Sequence, residues 1–169
     1  VILASPRKHL LYNKYSQHLS DNLHLYRYQG DKKRYFENTG NTEKDILAFN
    51  NELGRYIQAG GRKILTTYDS LGKIQEVLIS SGECLQEWTV VVDEFQSMFC
   101  DCQYKAMTEY EFSMILGMFS TVVYLSATPF LESYLDMTGQ FGGLTVYELL
   151  WPANMTQIPE VEVIRSRKS

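Results

Sequence analysis

Two runs of the same apolar character, TVVVD at Thr89 to Asp93 and TVVYL at Thr121 to Leu125, stand on either side of a stretch patterned as a helix. β-Branched residues are stiff at χ1 and pack well on a pleated surface, so both runs read as strands. Strands joined through a helix can run parallel, because a parallel pair needs a crossover connection rather than a tight turn. Parallel sheets are covered on both faces, and continuous apolar strands fit that setting better than alternating ones. The chain is thereby steered toward an α/β sheet.

The rest of the sequence keeps the same beat. Val1 to Ala4 (VILA) is a strand, and Leu10, Leu11, Tyr15, His18 and Leu19 then recur at the spacing of one helix face. Leu23 to Tyr28 alternates as a strand, and the polar stretch from Gln29 to Asn41 reads as a loop or hairpin. Thr42 offers a cap, with Asp45 three residues on, for a helix carrying Ile46, Phe49, Leu53 and Ile57 that Gly60-Gly61 stops. Arg62 to Thr67 is a strand ending at Tyr68-Asp69-Ser70, and Leu71, Ile74, Val77 and Leu78 form the next helical stripe. Between the two valine strands the stripe is assigned to Met107, Tyr110, Met114, Ile115 and Met118. Beyond them lie a short helix with Leu131, Tyr134 and Leu135, a last buried strand at Leu144 to Leu150, and the Trp151-Pro152 break. Strands alternating with helical patterns predict an α/β domain with a mainly parallel sheet and flanking helices.

Composition narrows the partners. The 169 residues suit one domain, and 44% hydrophobic content with 13% aromatics supplies a core. A formal charge of -4 excludes an overall basic field, so any polyanion contact is local. Cys84, Cys100 and Cys102 give no disulfide framework and no zinc spacing, and His9, His18 and His24 share no site; buried free thiols are expected. With no charged-then-apolar leader, a reduced, cytoplasmic compartment is expected, and no apolar run reaches the roughly 20 residues that span a bilayer. Val1 opens inside a strand, so a piece of a longer chain is expected.

The strand ends carry the chemistry. An apolar strand closing on Asp93-Glu94 suits phosphoryl transfer, in which one carboxylate orders Mg²⁺ and its neighbour orients the attacking water. The bland alternative is a strand turning back to solvent on acids. One strand-helix-strand step downstream comes Ser126-Ala127-Thr128-Pro129, for which the alternative is a Ser-Thr turn before proline. Ser5-Pro6-Arg7-Lys8 follows the first strand and opens a helix, so a hydroxyl, cations and free N–H groups converge as at a phosphate contact. Thr66-Thr67-Tyr68-Asp69-Ser70-Leu71 sits equivalently after a later strand. Each of these two also reads simply as a capped helix start.

Taken together, DEFQ (Asp93 to Gln96) and SAT (Ser126 to Thr128) resemble motifs II and III of superfamily 2 helicases, within the looser DExx group, because DEFQ departs from DEAD and DEAH in its last two positions. SPRK resembles motif Ia, and TTYDSL resembles the TTYxSL element of DExx translocases. The resemblance covers roughly residues 1–152 and implies a partial RecA-like first motor domain, with 153–169 opening a linker toward a second one. It implies ATP and Mg²⁺ as cofactors, with Asp93 as metal partner, Glu94 as catalytic base, and Asp93, Gln96, Ser126 and Thr128 at the nucleotide. Nucleic acid, DNA ahead of RNA, is the implied partner of Ser5, Pro6, Arg7, Lys8, Thr67, Tyr68, Ser70 and Lys73. Tyr68 is also placed to stack on a base, although in a chain with twelve tyrosines a core or surface role is the favoured alternative for any one of them.

One part of the pattern is absent. No G-x-x-x-x-G-K-[ST] phosphate loop occurs in the 169 residues, since Gly72-Lys73 lacks the upstream glycine. The fragment is therefore expected to be inactive alone, pending the missing phosphate-loop segment and the second RecA-like domain of its parent. In the family the phosphate-loop strand lies beside the SAT strand, so its absence would bare a sheet edge and lead to an oligomer or a distorted sheet at Val122 to Leu125. The rival reading is a non-catalytic helicase-like module that binds nucleic acid or protein. A different Mg²⁺-dependent phosphohydrolase is a third and poorer one, because Ser5, Thr67 and Ser126 occupy the ends where further carboxylates would be needed.

Overall fold

A computed structural model describes residues 1–26, 42–97 and 111–126, together with Thr145 and Tyr147. All but the last two belong to a first unit, Val1–Phe130; these two fall in a second, Leu131–Ser169. In the first unit, five strands form one sheet: β1 (Ile2–Ser5), β2 (His24–Leu25), β3 (Ile64–Thr67), β4 (Thr89–Asp93) and β5 (Thr121–Leu125). Their order is β2-β3-β1-β4-β5, and every pairing is parallel. The expected α/β class is what the chain adopts. Helices α1 (Lys8–Gln17), α2 (Thr42–Gln58) and α3 (Leu71–Ser80) flank the sheet, and residues 111–116 are helical before β5.

Alternation along the strands sends side chains to two faces. Ile2, Ala4, Ile64, Val90 and Val92 join the main core with Phe49, Leu53 and Ile57 of α2 and Leu71, Ile74, Val77 and Leu78 of α3. Leu25 and Leu65 pack instead against Leu11 of α1, with Leu3, Tyr12 and Tyr15 at the margin. Burying each such aliphatic side chain contributes about 1.5–3 kcal/mol, so the helical stripes fix which face each helix covers.

The Gly60-Gly61 stop works as expected. Gly60 takes φ +85°, its N–H donates to the Ile57 carbonyl at 2.9 Å, and Gly61 N–H reaches back to Tyr56 at 2.9 Å. This closes the last turn of α2 with paired carbonyls. Gly61 has a second reason to lack a side chain, because a Cβ there would meet the Tyr56 ring at 2.3 Å. That ring is held by its hydroxyl, which donates to the Asn22 carbonyl at 2.7 Å and accepts from the Lys63 N–H at 3.0 Å.

Several expectations are corrected. The helix before β5 and the turn that follows it bring Phe112, Leu116 and Phe119 into the core, with Ile115 packed beside them, while Met114 is 54% and Met118 42% exposed. Two stripes compete on that sequence, and the one with two aromatic rings buries more apolar area. Helix α1 ends at Gln17, which leaves His18 and Leu19 exposed rather than on its packed face. Cys84 is exposed, not buried, and Thr145 and Tyr147 are exposed and outside any strand, contrary to a buried strand there. The distortion expected at Val122 to Leu125 is not found: β5 pairs with β4 in unbroken register from Thr89↔Thr121 to Asp93↔Leu125. The Asn41 side of the α2 start, Cys100, Cys102, Met107, Tyr110, Thr128 and the segment holding Leu131, Tyr134 and Leu135 lie outside the described residues.

Candidate functional site

Parallel strands share one carboxyl end, and here that end gathers the motifs. Ser5 stands opposite Thr67 across β1 and β3, and Asp93 opposite Leu125 across β4 and β5. Because Ala4 pairs with Val92, the next position on each strand sets Ser5 level with Asp93. Ser5, Thr67, Asp93 and the Leu125-Ser126 step thus form one row along the rim. Open α/β sheets bind ligands beyond this edge.

At the end of β4 the backbone turns sharply. Glu94 has φ +58°, a left-handed conformation that costs a residue with a Cβ about 1–2 kcal/mol. What holds it is the surrounding packing. Phe95 N–H donates to the Leu125 carbonyl at 3.1 Å and its ring enters the core edge-on to Tyr124, while Ser97 N–H closes on the Glu94 carbonyl at 2.9 Å. The turn leaves the two carboxylates at the rim and carries the next residue inward.

Each carboxylate has a neighbour. Asp93 pairs with Lys14 of α1 at 3.5 Å, and the Gln96 amide donates to Glu94. Among the described residues the Gln96 carbonyl oxygen is buried with no partner, as is the Ser5 hydroxyl. A buried acceptor left unmade costs about 1–3 kcal/mol, so both atoms invite a donor such as water. Tyr68 spans the row from the other side: its hydroxyl donates to the Asp93 carbonyl and its ring lies 4.7 Å from Phe112. Burial first, then the negative charges of Asp93 and Glu94, push the Tyr68 hydroxyl well above the ordinary tyrosine range, so it stays a donor.

The remaining expected residues are distributed as follows. Thr67 Oγ1 donates to Ser70 Oγ at 3.2 Å, inside the single turn Tyr68–Ser70 that leads into α3. Pro6 makes the bend into α1, and Arg7 and Lys8 are exposed at that helix start, where Arg7 supplies no side-chain cap. Lys73 lies in the first turn of α3 and is shared by both Glu76 oxygens at 3.1 Å. Ser126 is exposed just past β5, and Thr128 is outside the described residues. The structure thus brings together Ser5, Thr67, Tyr68, Asp93, Glu94 and Gln96, and holds Lys73 in an ion pair on its own helix.

Sequence reasoning did not find Lys14 or Phe112. Lys14 lies six positions into α1, a spacing with no motif, and only tertiary folding brings it to Asp93. Phe112 was discoverable from the Phe112, Leu116, Phe119 spacing. Among the described residues no group of three or more His, Cys, Asp or Glu could hold a metal by itself, and no helix is long and apolar enough to cross a membrane.

Comparison with known proteins adds no assignment: no family model matches the chain, and no curated protein or solved structure does.

Proposed function

We propose that the chain is part of the first motor domain of a superfamily 2 helicase or translocase, and that its rim is half of a Mg-ATP hydrolysis site beside a nucleic-acid-contacting surface. The observation that carries the reading is the common row, in which the ends of β1, β3, β4 and β5 bring SPRK, TTYDSL, DEFQ and the start of SAT to one edge. The position of β5 supports it as well. Among the described residues that strand ends the sheet order, on the side where the family's phosphate-loop strand belongs.

The residues present fit magnesium better than they fit a whole nucleotide. Carboxylate and hydroxyl oxygens are hard donors, and Mg²⁺ is usually held by one or two carboxylates, phosphates and water rather than by an all-protein cage. Asp93, which already pairs with a cation in Lys14, would hold it. Bound there, Mg²⁺ would neutralise charge on phosphate oxygens. Glu94, whose carboxylate accepts from the Gln96 amide, would orient the water. The triphosphate cradle is not among these 169 residues, so the chain alone is expected not to turn over. Arg7, Lys8 and Thr67 form the nucleic-acid side, where contacts to the backbone weaken with salt. A cytoplasmic setting belongs to this reading; there an exposed thiol such as Cys84 stays reduced.

A second reading, a non-catalytic module that binds nucleic acid or protein, is favoured by the missing phosphate loop and by Lys14 standing at Asp93. The full-length protein that carries the chain decides between them. Mg²⁺-dependent ATP hydrolysis stimulated by single-stranded DNA, and lost in Asp93→Ala, supports the motor. DNA binding with no hydrolysis under any condition supports the module.

A further inference from the structure

We propose that Tyr68 is a positioning residue, which ties the TTYDSL turn to the acidic turn and sets the orientation of Glu94. The proposal deepens the motor reading and rests on it for its kinetic consequence.

The hydroxyl of Tyr68 donates to the Asp93 carbonyl, the last of β4. That oxygen belongs to the same rigid peptide plane as the Glu94 nitrogen. Fixing the plane fixes one side of the rotation that Glu94 holds at +58°. Without the bond, that turn would be restrained mainly from its far side, by Phe95 N–H on the Leu125 carbonyl and Phe95 against Tyr124. A non-glycine residue keeps a left-handed backbone only when its surroundings over-determine it. Tyr68 supplies one of those determinants.

The other end of the bridge is the candidate phosphate-contact turn. Tyr68 lies between Thr67 and Ser70, whose hydroxyls bond one another at 3.2 Å and tie the single turn together. Its ring is braced at 4.7 Å on Phe112, in the helical residues that lead to β5. A phosphate that engages the half-buried Thr67 would therefore act on the turn that carries the group holding the Asp93 carbonyl. With its ring on Phe112 and its hydroxyl engaged, Tyr68 is a link across the row rather than a stacking platform for a base.

Tyr68→Phe separates the roles, since it keeps the ring and removes the hydroxyl. In the 169-residue chain, amide exchange of Glu94, Phe95 and Gln96 should quicken about tenfold while the α2 and α3 amides keep their wild-type protection. In the full-length protein, kcat for DNA-stimulated ATP hydrolysis should fall about tenfold, with the KM for ATP and the affinity for single-stranded DNA within twofold of wild type. Exchange unchanged at the acidic turn, or raised equally throughout, overturns the proposal. So does a loss of DNA affinity matching the loss of kcat, which would mark a base-stacking role. If the wild-type protein does not hydrolyse ATP, the motor reading fails, and the exchange comparison still decides the bridge.

Discussion

Phe95 packs edge-on against Tyr124, ring centroids 5.7 Å apart, so the residue that follows the acidic pair is anchored on the neighbouring strand. This contact makes the turn at Glu94 a consequence of packing: the chain must bend inward at Phe95, and Glu94 takes up the bend at φ +58°. Glycine adopts that backbone without the Cβ penalty. Glu94→Gly should therefore raise the unfolding free energy by roughly 0.5–1 kcal/mol, net of the lost Gln96 contact and of the looser unfolded chain. Urea denaturation of the two chains measures it; a clear drop in stability would mean that the turn carries no strain.

The helix face before β5 offers a sharp contrast. Phe112 is 4% and Met114 54% exposed, although they are two positions apart. Phe112→Ala should cost about 3–5 kcal/mol and Met114→Ala under about 0.5 kcal/mol. Equal losses in thermal or urea unfolding would return the methionines to the core.

Gly61→Ala tests the close approach under the α2 stop. The new methyl would meet the Tyr56 ring, whose hydroxyl is tied to Asn22 and Lys63, so the ring cannot swing aside without losing those bonds. Overpacking of this kind costs about 1–3 kcal/mol. Tyr56→Ala in the same chain should remove most of the additional cost, which a double-mutant cycle reads directly.

Burial lowers the His24 pKa from 6.5 to about 4, with its ring stacked 5.0 Å from Tyr56. The folded state thus prefers neutral His24. Below pH 6.5 the unfolded chain binds a proton that the folded chain refuses until about pH 4, so stability falls through that window as the solution is acidified. His24→Phe should flatten this part of the pH dependence by about 2 kcal/mol at pH 4, allowing for partial solvent screening. An unchanged slope between pH 6.5 and 4 would assign the acid sensitivity to other groups.

Much of this was legible because periodicity and burial coincide. The α3 stripe of Leu71, Ile74, Val77 and Leu78 is buried as its spacing predicts, and the valine strands become β4 and β5 with their polar ends at one rim. The site was legible where its residues follow strands, as Ser5, Thr67 and Asp93 do. It was not legible where long-range packing decides. Nothing local to Glu94 announces a left-handed backbone, since Phe95 and the Leu125 carbonyl impose it from a strand further along. Lys14 reaches Asp93 only once α1 has folded over the sheet. Tyr68 was readable as part of a motif, but its bond to the Asp93 carbonyl joins strand ends that β1 separates in the sheet.

Glu94→Gln in the full-length protein tests most directly whether Glu94 orients hydrolytic water in an ATP-driven motor, as proposed. The amide keeps the size and the hydrogen-bonding reach of the side chain while removing its basicity. DNA-stimulated ATP hydrolysis should fall by about 10²-fold or more, the usual range for a lost general base, with Mg-ATP binding retained. Sustained hydrolysis near the wild-type rate would contradict it.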